Sequence, residues 1–79
     1  MKKTDALRLV KQELDRATVV HPPFNSAHEG FAVIYEELDE LWDEIKRQDQ
    51  DKMAMRKEAL QVAAMALRFI EDVCDGGAP

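Results

Sequence analysis

The stretch DKMAMRKEALQVAAMALRFIEDVC, Asp51 to Cys74, decides the fold of this 79-residue chain. It contains neither glycine nor proline, and its apolar residues recur at helical spacing. Leu60, Ala63, Ala64, Leu67, Ile70 and Cys74 form one apolar stripe, and Ala59, Val62, Ala66, Phe69 and Val73 form a second beside it. A single partner helix covers one stripe, so this helix reads as the centre of a bundle whose second stripe meets another subunit. Its alanines permit close helix approach. Gly76 and Gly77 follow as a left-handed C-cap. Cys74, with no histidine near it in sequence, reads as a small buried apolar residue.

Before this helix, RQDQDK (Arg47 to Lys52) is a turn, and a second helix spans Ser26 to about Arg47. Ser26 and Glu29 make the S-x-x-E capping box, in which each side chain serves a free backbone N–H of the other residue. Phe31, Ile34, Leu38, Leu41 and Ile45 recur at alternating three- and four-residue steps, the spacing of a seam between packed helices. A first helix is expected from an N-cap at Thr4 to about Ala17, with Ala6, Leu7, Leu9, Val10 and Leu14 on its apolar side. The prolines of VVHPPFNS, Val19 to Ser26, break it. The expected fold is therefore all-α, a three-helix chain in which a short N-terminal helix precedes a long antiparallel helical hairpin. It forms one domain, residues 1–79, which completes a helical bundle by homo-oligomerisation as a dimer or tetramer. A chain this short buries only about 60% of its unfolded surface, so help from a second chain is expected.

Composition narrows the function. A net charge of -5, with basic residues scattered among acids, disfavours nucleic acid as a partner, since neutralising phosphates needs a basic stripe. No apolar run approaches the roughly 18 residues of a membrane span. The single cysteine cannot form an internal disulfide, and MKKTDALRLVKQELDRA at the N-terminus becomes charged too quickly for a secretory signal, so a cytoplasmic location is expected.

Six carboxylates crowd into EELDELWDEIK, Glu36 to Lys46. At about 100° per residue, Glu36, Asp39 and Asp43 fall opposite the seam as a solvated face, while Glu37, Glu40 and Glu44 lie along its flank. Stacked acids repel, and either salt bridges from Lys46, Arg56 or Lys57 or a divalent cation must offset that. Hard oxygen donors suit Mg²⁺, or Mn²⁺. In an antiparallel pair, Glu37 and Glu40 face Glu58 and Gln61 of the third helix, so two facing helices build one polar pocket.

E-x-x-E (Glu37, Glu40), a spacer, and E-x-x-Q (Glu58, Gln61) within EALQVAA resemble the metal motif of the MazG-like, all-α nucleoside triphosphate pyrophosphohydrolases, most strongly over residues 26–73. The resemblance implies that Glu37, Glu40, Glu58 and Gln61 hold Mg²⁺ and that water cleaves a nucleoside triphosphate between its α and β phosphates. It implies the monophosphate and pyrophosphate as products. By the same resemblance, Glu44 would be a further ligand or the catalytic base. The chain departs from the family pattern at Gln61, where the motif has Asp. An amide oxygen can coordinate Mg²⁺ but brings no charge and accepts no proton at neutral pH. Arg68 reads as a phosphate contact or as an ion-pair partner of Asp72, Glu71 or another chain, and Asp72 as a residue lining the same substrate groove. Phe31, Tyr35 and Trp42 lie on the opposite flank from the acids, as core or subunit contacts rather than base-stacking rings. His28 is a surface or interface residue, and His21 lies in a loop able to cover a nucleotide. The rival reading is a non-catalytic nucleotide- or protein-binding helical oligomer that has lost the full metal site. A third is a structural oligomer whose acids are only solvated.

Overall fold

A computed structural model of the chain describes residues 1–76. It is all-helical among those residues: α1 spans Lys3–Val20, α2 Ala27–Ile45 and α3 Lys52–Phe69, and α3 runs on into a π-helical turn, Ile70–Cys74. Both α1 and α2 pack on α3, which makes the alanine-rich helix the centre of the chain.

The helix ends follow local chemistry and differ in places from expectation. α1 begins earlier than Thr4, with an extended Lys2 as N-cap and no side-chain cap, and it continues past Ala17 to Val20. A proline restricts only the residue before it, so His21, held extended ahead of Pro22, is where the helix must stop. At the start of α2, Ser26 accepts the Glu29 N–H at 3.1 Å as expected. The return half of the box reaches one residue further back, because the Glu29 carboxylate accepts the Asn25 backbone N–H at 3.1 Å and its side-chain amide at 3.1 Å. α2 stops at Ile45, short of Arg47, where the Gln50 side chain donates to the Ile45 carbonyl at 2.7 Å. Asp51 caps α3 through the N–H groups of Met53 and Ala54.

The π turn has no counterpart in the sequence pattern. Asp75 N–H reaches back to the Ile70 carbonyl at 3.0 Å, so one extra residue enters the last turn. Gly76 does not adopt the left-handed cap expected of it. It serves close approach instead: a Cβ there would lie 2.6 Å from the Asp72 carbonyl oxygen and 2.7 Å from that of Glu71. Gly77 lies outside the described residues. Cys74 is exposed rather than buried, as are Leu67 and Ile70 of the same stripe.

The core is small. Val10, Leu14 and Ala17 of α1, Phe24 of the connecting segment, and Ala64 and Met65 of α3 are its buried apolar residues, with Val33, Ile34, Leu60, Ala63, Phe69 and Val73 packed around them. Gly30 is buried on α2 because the Phe69 ring sits where a side chain would be, its Cδ2 2.6 Å from an added Cβ. The seam expected on α2 divides: Ile34 and Leu41 are half-buried, while Phe31, Leu38 and Ile45 remain exposed. The reason is Gly30. By letting Phe69 approach, it turns the stripe Gly30–Ile34–Glu37–Leu41–Glu44 inward and rotates the larger apolar residues away from α3. The two stripes of α3 are likewise mixed, with Val62, Phe69 and Val73 of the second half-buried within the chain and Leu67 and Ile70 of the first exposed.

Candidate metal centre and its cavity

The contacts between α2 and α3 place the acids. Gly30 meets Phe69 near one end of the pair, and Glu37 and Glu40 meet Glu58 further along, so position rises along α2 as it falls along α3. One carboxylate oxygen from each of Glu37, Glu40 and Glu58 lies within 4.8 Å of the others. Glu37 and Glu58 are half-buried and Glu40 is exposed, so the group sits at the edge of the interface.

Among the described residues no ion pair reaches these three acids. Lys46, which the sequence offered as one means of neutralising them, bonds Asp43 on the outer face at 2.9 Å. The consequence appears in their protonation. Burial, with the nearby Glu40, Glu58 and Glu36, pushes the Glu37 carboxyl up to about 7. Burial and then Glu40 also raise that of Glu58, with Glu44 adding to the effect and Lys57 opposing it. Glu44 thus lies close enough to Glu58 for its charge to be felt, beside the three-carboxylate group rather than within it. An all-oxygen donor set of clustered carboxylates from two facing helices, with no ion pair to them among the described residues, fits a hard divalent cation such as Mg²⁺ or Mn²⁺.

Glu37 also lines a cavity of about 390 Å³ that runs from the acids to the connection between α1 and α2. Gln61, Met65 and Arg68 of α3 form its floor, Arg16 and Ala17 of α1 one wall, and Val33, Glu36 and Glu37 of α2 the other. His21, Pro22 and Phe24 of the segment after α1 also line it. Glu36, expected on the solvated face, is exposed yet lines the cavity, whereas Asp39 and Asp43 are exposed and outside it.

Gln61 faces two ways. It shares the main cavity with Glu37, and it shares a second groove of about 340 Å³ with Glu13, Arg16 and Lys57. Arg16, then the Gln61 amide and the charge of Lys57, hold the Glu13 carboxyl below its ordinary value against the opposing effect of burial. Glu13 and Arg16, which pair with each other, are contributions that sequence reasoning missed. Only the register of α1 against α3 reveals them, and the pattern of α1 fixes its apolar side without saying which residue of α3 lies opposite.

Arg68 is at the cavity floor, but its donors are committed within the chain. It is 5% exposed, its guanidinium lies 4.5 Å from the centre of the Phe24 ring, and it donates to the Pro22 carbonyl. Its Nε is 3.4 Å from Asp72 Oδ2, the ion pair that the sequence left open as an alternative to phosphate binding. Asp72 accepts the Phe24 N–H at 3.0 Å and is not among the cavity residues. Both side chains therefore secure the loop that ends the cavity.

No family model, curated protein or solved structure matches the chain. No helix of the described residues is long and apolar enough to cross a membrane.

Proposed function

We propose that the protein is a Mg²⁺-dependent nucleoside triphosphate pyrophosphohydrolase of the MazG-like type, working in the cytoplasm as a homo-oligomer. One observation carries the reading: three carboxylates that no ion pair reaches among the described residues cluster together, and one of them, Glu37, also lines a cavity large enough for part of a nucleotide. A solvated acidic face supports neither feature.

In this reading Glu37, Glu40 and Glu58 hold the ion, with Gln61 as a neutral fourth donor. Bound Mg²⁺ supplies charge neutralisation on the phosphoryl oxygens and acidifies a coordinated water. The chain's residues do the rest. Glu44, beside the cluster, orients the attacking water and takes its proton, leaving pyrophosphate and the nucleoside monophosphate. The cavity walls of Val33, Met65 and Phe24 exclude water from the base or sugar, and Arg16, on exchanging Glu13 for substrate, supplies positive charge toward the phosphates. Arg68 and Asp72 act by holding the His21–Phe24 loop in place.

A second reading has its own observation. Gln61 lines a second groove with Glu13 and carries no charge, which favours an oligomer that binds nucleotide and metal without turnover. Calorimetric titration of Mg²⁺, with and without a non-hydrolysable deoxynucleoside triphosphate analogue, tests both on wild type and Glu40→Ala. Nucleotide-dependent binding that Glu40→Ala abolishes is expected, followed by pyrophosphate release from a triphosphate panel. Binding without release selects the second reading, and no heat from either protein refutes both.

A further inference from the structure

The second groove, between α1 and α3, already holds an anion, and that anion belongs to the chain. Both carboxylate oxygens of Glu13 accept from Arg16 Nε, at 3.1 and 3.0 Å, and a second nitrogen of the guanidinium bonds the same group. The acid is the enclosed member of this pair: the Glu13 side chain is 17% exposed and that of Arg16 54%. Lys57 and Gln61, one turn apart on α3, line the groove with them, and after Arg16 the Gln61 amide and the Lys57 charge also favour the ionised carboxyl. Among the described residues Lys57 forms no ion pair of its own. Arg16 and Gln61 line the main cavity as well, so the two hollows share these side chains.

We propose that this groove seats a diphosphate group and that Glu13 fills it in the free protein as a built-in competitor. The inference rests on the metal-dependent reading above and gives it a place for the end of the nucleotide that leaves. Three carboxylates outnumber the two charges of one Mg²⁺, so the phosphates need further cations. Of the arginines and lysines that line either hollow among the described residues, Arg68 is committed to Pro22, Phe24 and Asp72, which leaves Arg16 and Lys57. These two stand on the two helices that form the groove. Lys57 also adjoins Glu58 of the metal centre, whose carboxyl feels its charge, so the groove begins beside the ion. A guanidinium fork that grips a carboxylate matches phosphate oxygens equally well. A diphosphate brings more charge and more acceptor oxygens than the single carboxylate it replaces. Lys57 is therefore a positioning residue for the leaving end, and Glu13 sets the affinity that end must exceed.

The test needs neither metal nor turnover. Inorganic pyrophosphate and a non-hydrolysable deoxynucleoside triphosphate analogue are titrated in a chelator, by calorimetry, into wild type, Glu13→Gln, Lys57→Gln and the double variant. Glu13→Gln should bind pyrophosphate about fivefold more tightly, the scale of one partly exposed ion pair, and Lys57→Gln should cancel that gain. Asp15→Asn makes the same change of charge at an exposed position on α1 where Lys11 is the partner, and should leave affinity unchanged. A nucleoside monophosphate, which lacks the diphosphate, should bind all variants alike. A gain with both pyrophosphate and the analogue assigns the groove to released product and substrate tail together, and a gain with the analogue alone assigns it to the tail. Glu13→Gln binding neither ligand more tightly while retaining its helix signal, or Asp15→Asn matching its gain, would overturn the proposal. Failure here together with Mg²⁺-dependent binding of the analogue would leave the hydrolase reading standing.

Discussion

Asp72 Oδ2 accepts the backbone N–H of Phe24 at 3.0 Å across 48 residues of sequence, and the same oxygen lies 3.4 Å from Nε of the buried Arg68. The π turn that contains Asp72 and the segment that follows α1 are thereby tied at one point. Arg68→Ala leaves a largely buried Asp72 without its cation, removes the donor to the Pro22 carbonyl and strips the cation from the Phe24 face. The expected loss is about 3 kcal/mol. Asp72→Asn keeps an acceptor for Phe24 and should lose less, while Arg68→Lys, which keeps charge without the planar fork, should fall between wild type and Arg68→Ala. Urea denaturation of the three variants checks the order. A loss under about 0.5 kcal/mol for Arg68→Ala, the range of a neutral surface change, would release Arg68 for a phosphate.

The acids of α2 and α3 make stability depend on pH. The folded-state value of Glu37, about 7, lies above the ordinary glutamate value of 4.5, and Glu58 shifts in the same direction. A carboxyl raised on folding binds its proton more tightly in the native state, so stability falls as pH rises from about 4.5 through about 7 and stays reduced above it. The metal-free protein should be more stable at pH 5 than at pH 7.5, by roughly 1–2 kcal/mol after allowance for solvent screening. Glu37→Gln should flatten that slope, and Mg²⁺ at pH 7.5 should restore stability to wild type alone. Denaturation in a chelator at the two pH values, then with Mg²⁺, gives the answer; a slope unchanged by Glu37→Gln would place its source elsewhere.

What the sequence revealed and what it hid follow from the range of the signals. Three helices, the Ser26 cap and the flank position of Glu37, Glu40 and Glu44 are set by neighbours within one or two turns, which a periodic pattern records. The stop of α1 at His21 rather than Ala17 was also local, but Thr18, Val19 and Val20, poor helix formers, tolerate a helix that packing has already begun. The π turn and the place of Glu13 beside Gln61 depend on how helices dock, and no residue within a turn of either announces it. The seam of α2 misled for a similar reason: its period marks a face that packs, without saying whether the partner helix belongs to the same chain.

Gly30 should tolerate no side chain. A Cβ there would lie 2.6 Å from Cδ2 of Phe69 and 3.2 Å from Cδ2 of Phe24. Gly30→Ala removes about 1 kcal/mol of helix penalty, yet the two rings must move, and overpacking of this kind costs about 1–3 kcal/mol. The net effect is a destabilisation of about 1 kcal/mol, and Gly30→Ala with Phe69→Leu should recover part of it. Thermal melts of the single and double variants test this; a more stable Gly30→Ala would mean that α2 and α3 approach less closely than the contact implies.

Gln61→Asp is the substitution that separates the two functional readings. In the metal-free protein a carboxylate at position 61 would face Glu37 across the cavity and Glu13 across the second groove, so the variant should be less stable than wild type in a chelator. The same added charge gives the cation a fourth anionic oxygen, so affinity for Mn²⁺, read by calorimetry, should rise about tenfold or more. If Glu44 and the acids already carry out hydrolysis, pyrophosphate release should rise along with affinity. If the chain only binds nucleotide, affinity rises while release stays at background. Glu13→Gln in the Gln61→Asp background should recover chelator stability by removing the nearer repulsion, and should leave metal affinity unchanged, because Glu13 stands outside the group formed by Glu37, Glu40 and Glu58. A Gln61→Asp variant with unaltered metal affinity would place position 61 outside the metal centre and leave three carboxylates as its whole donor set.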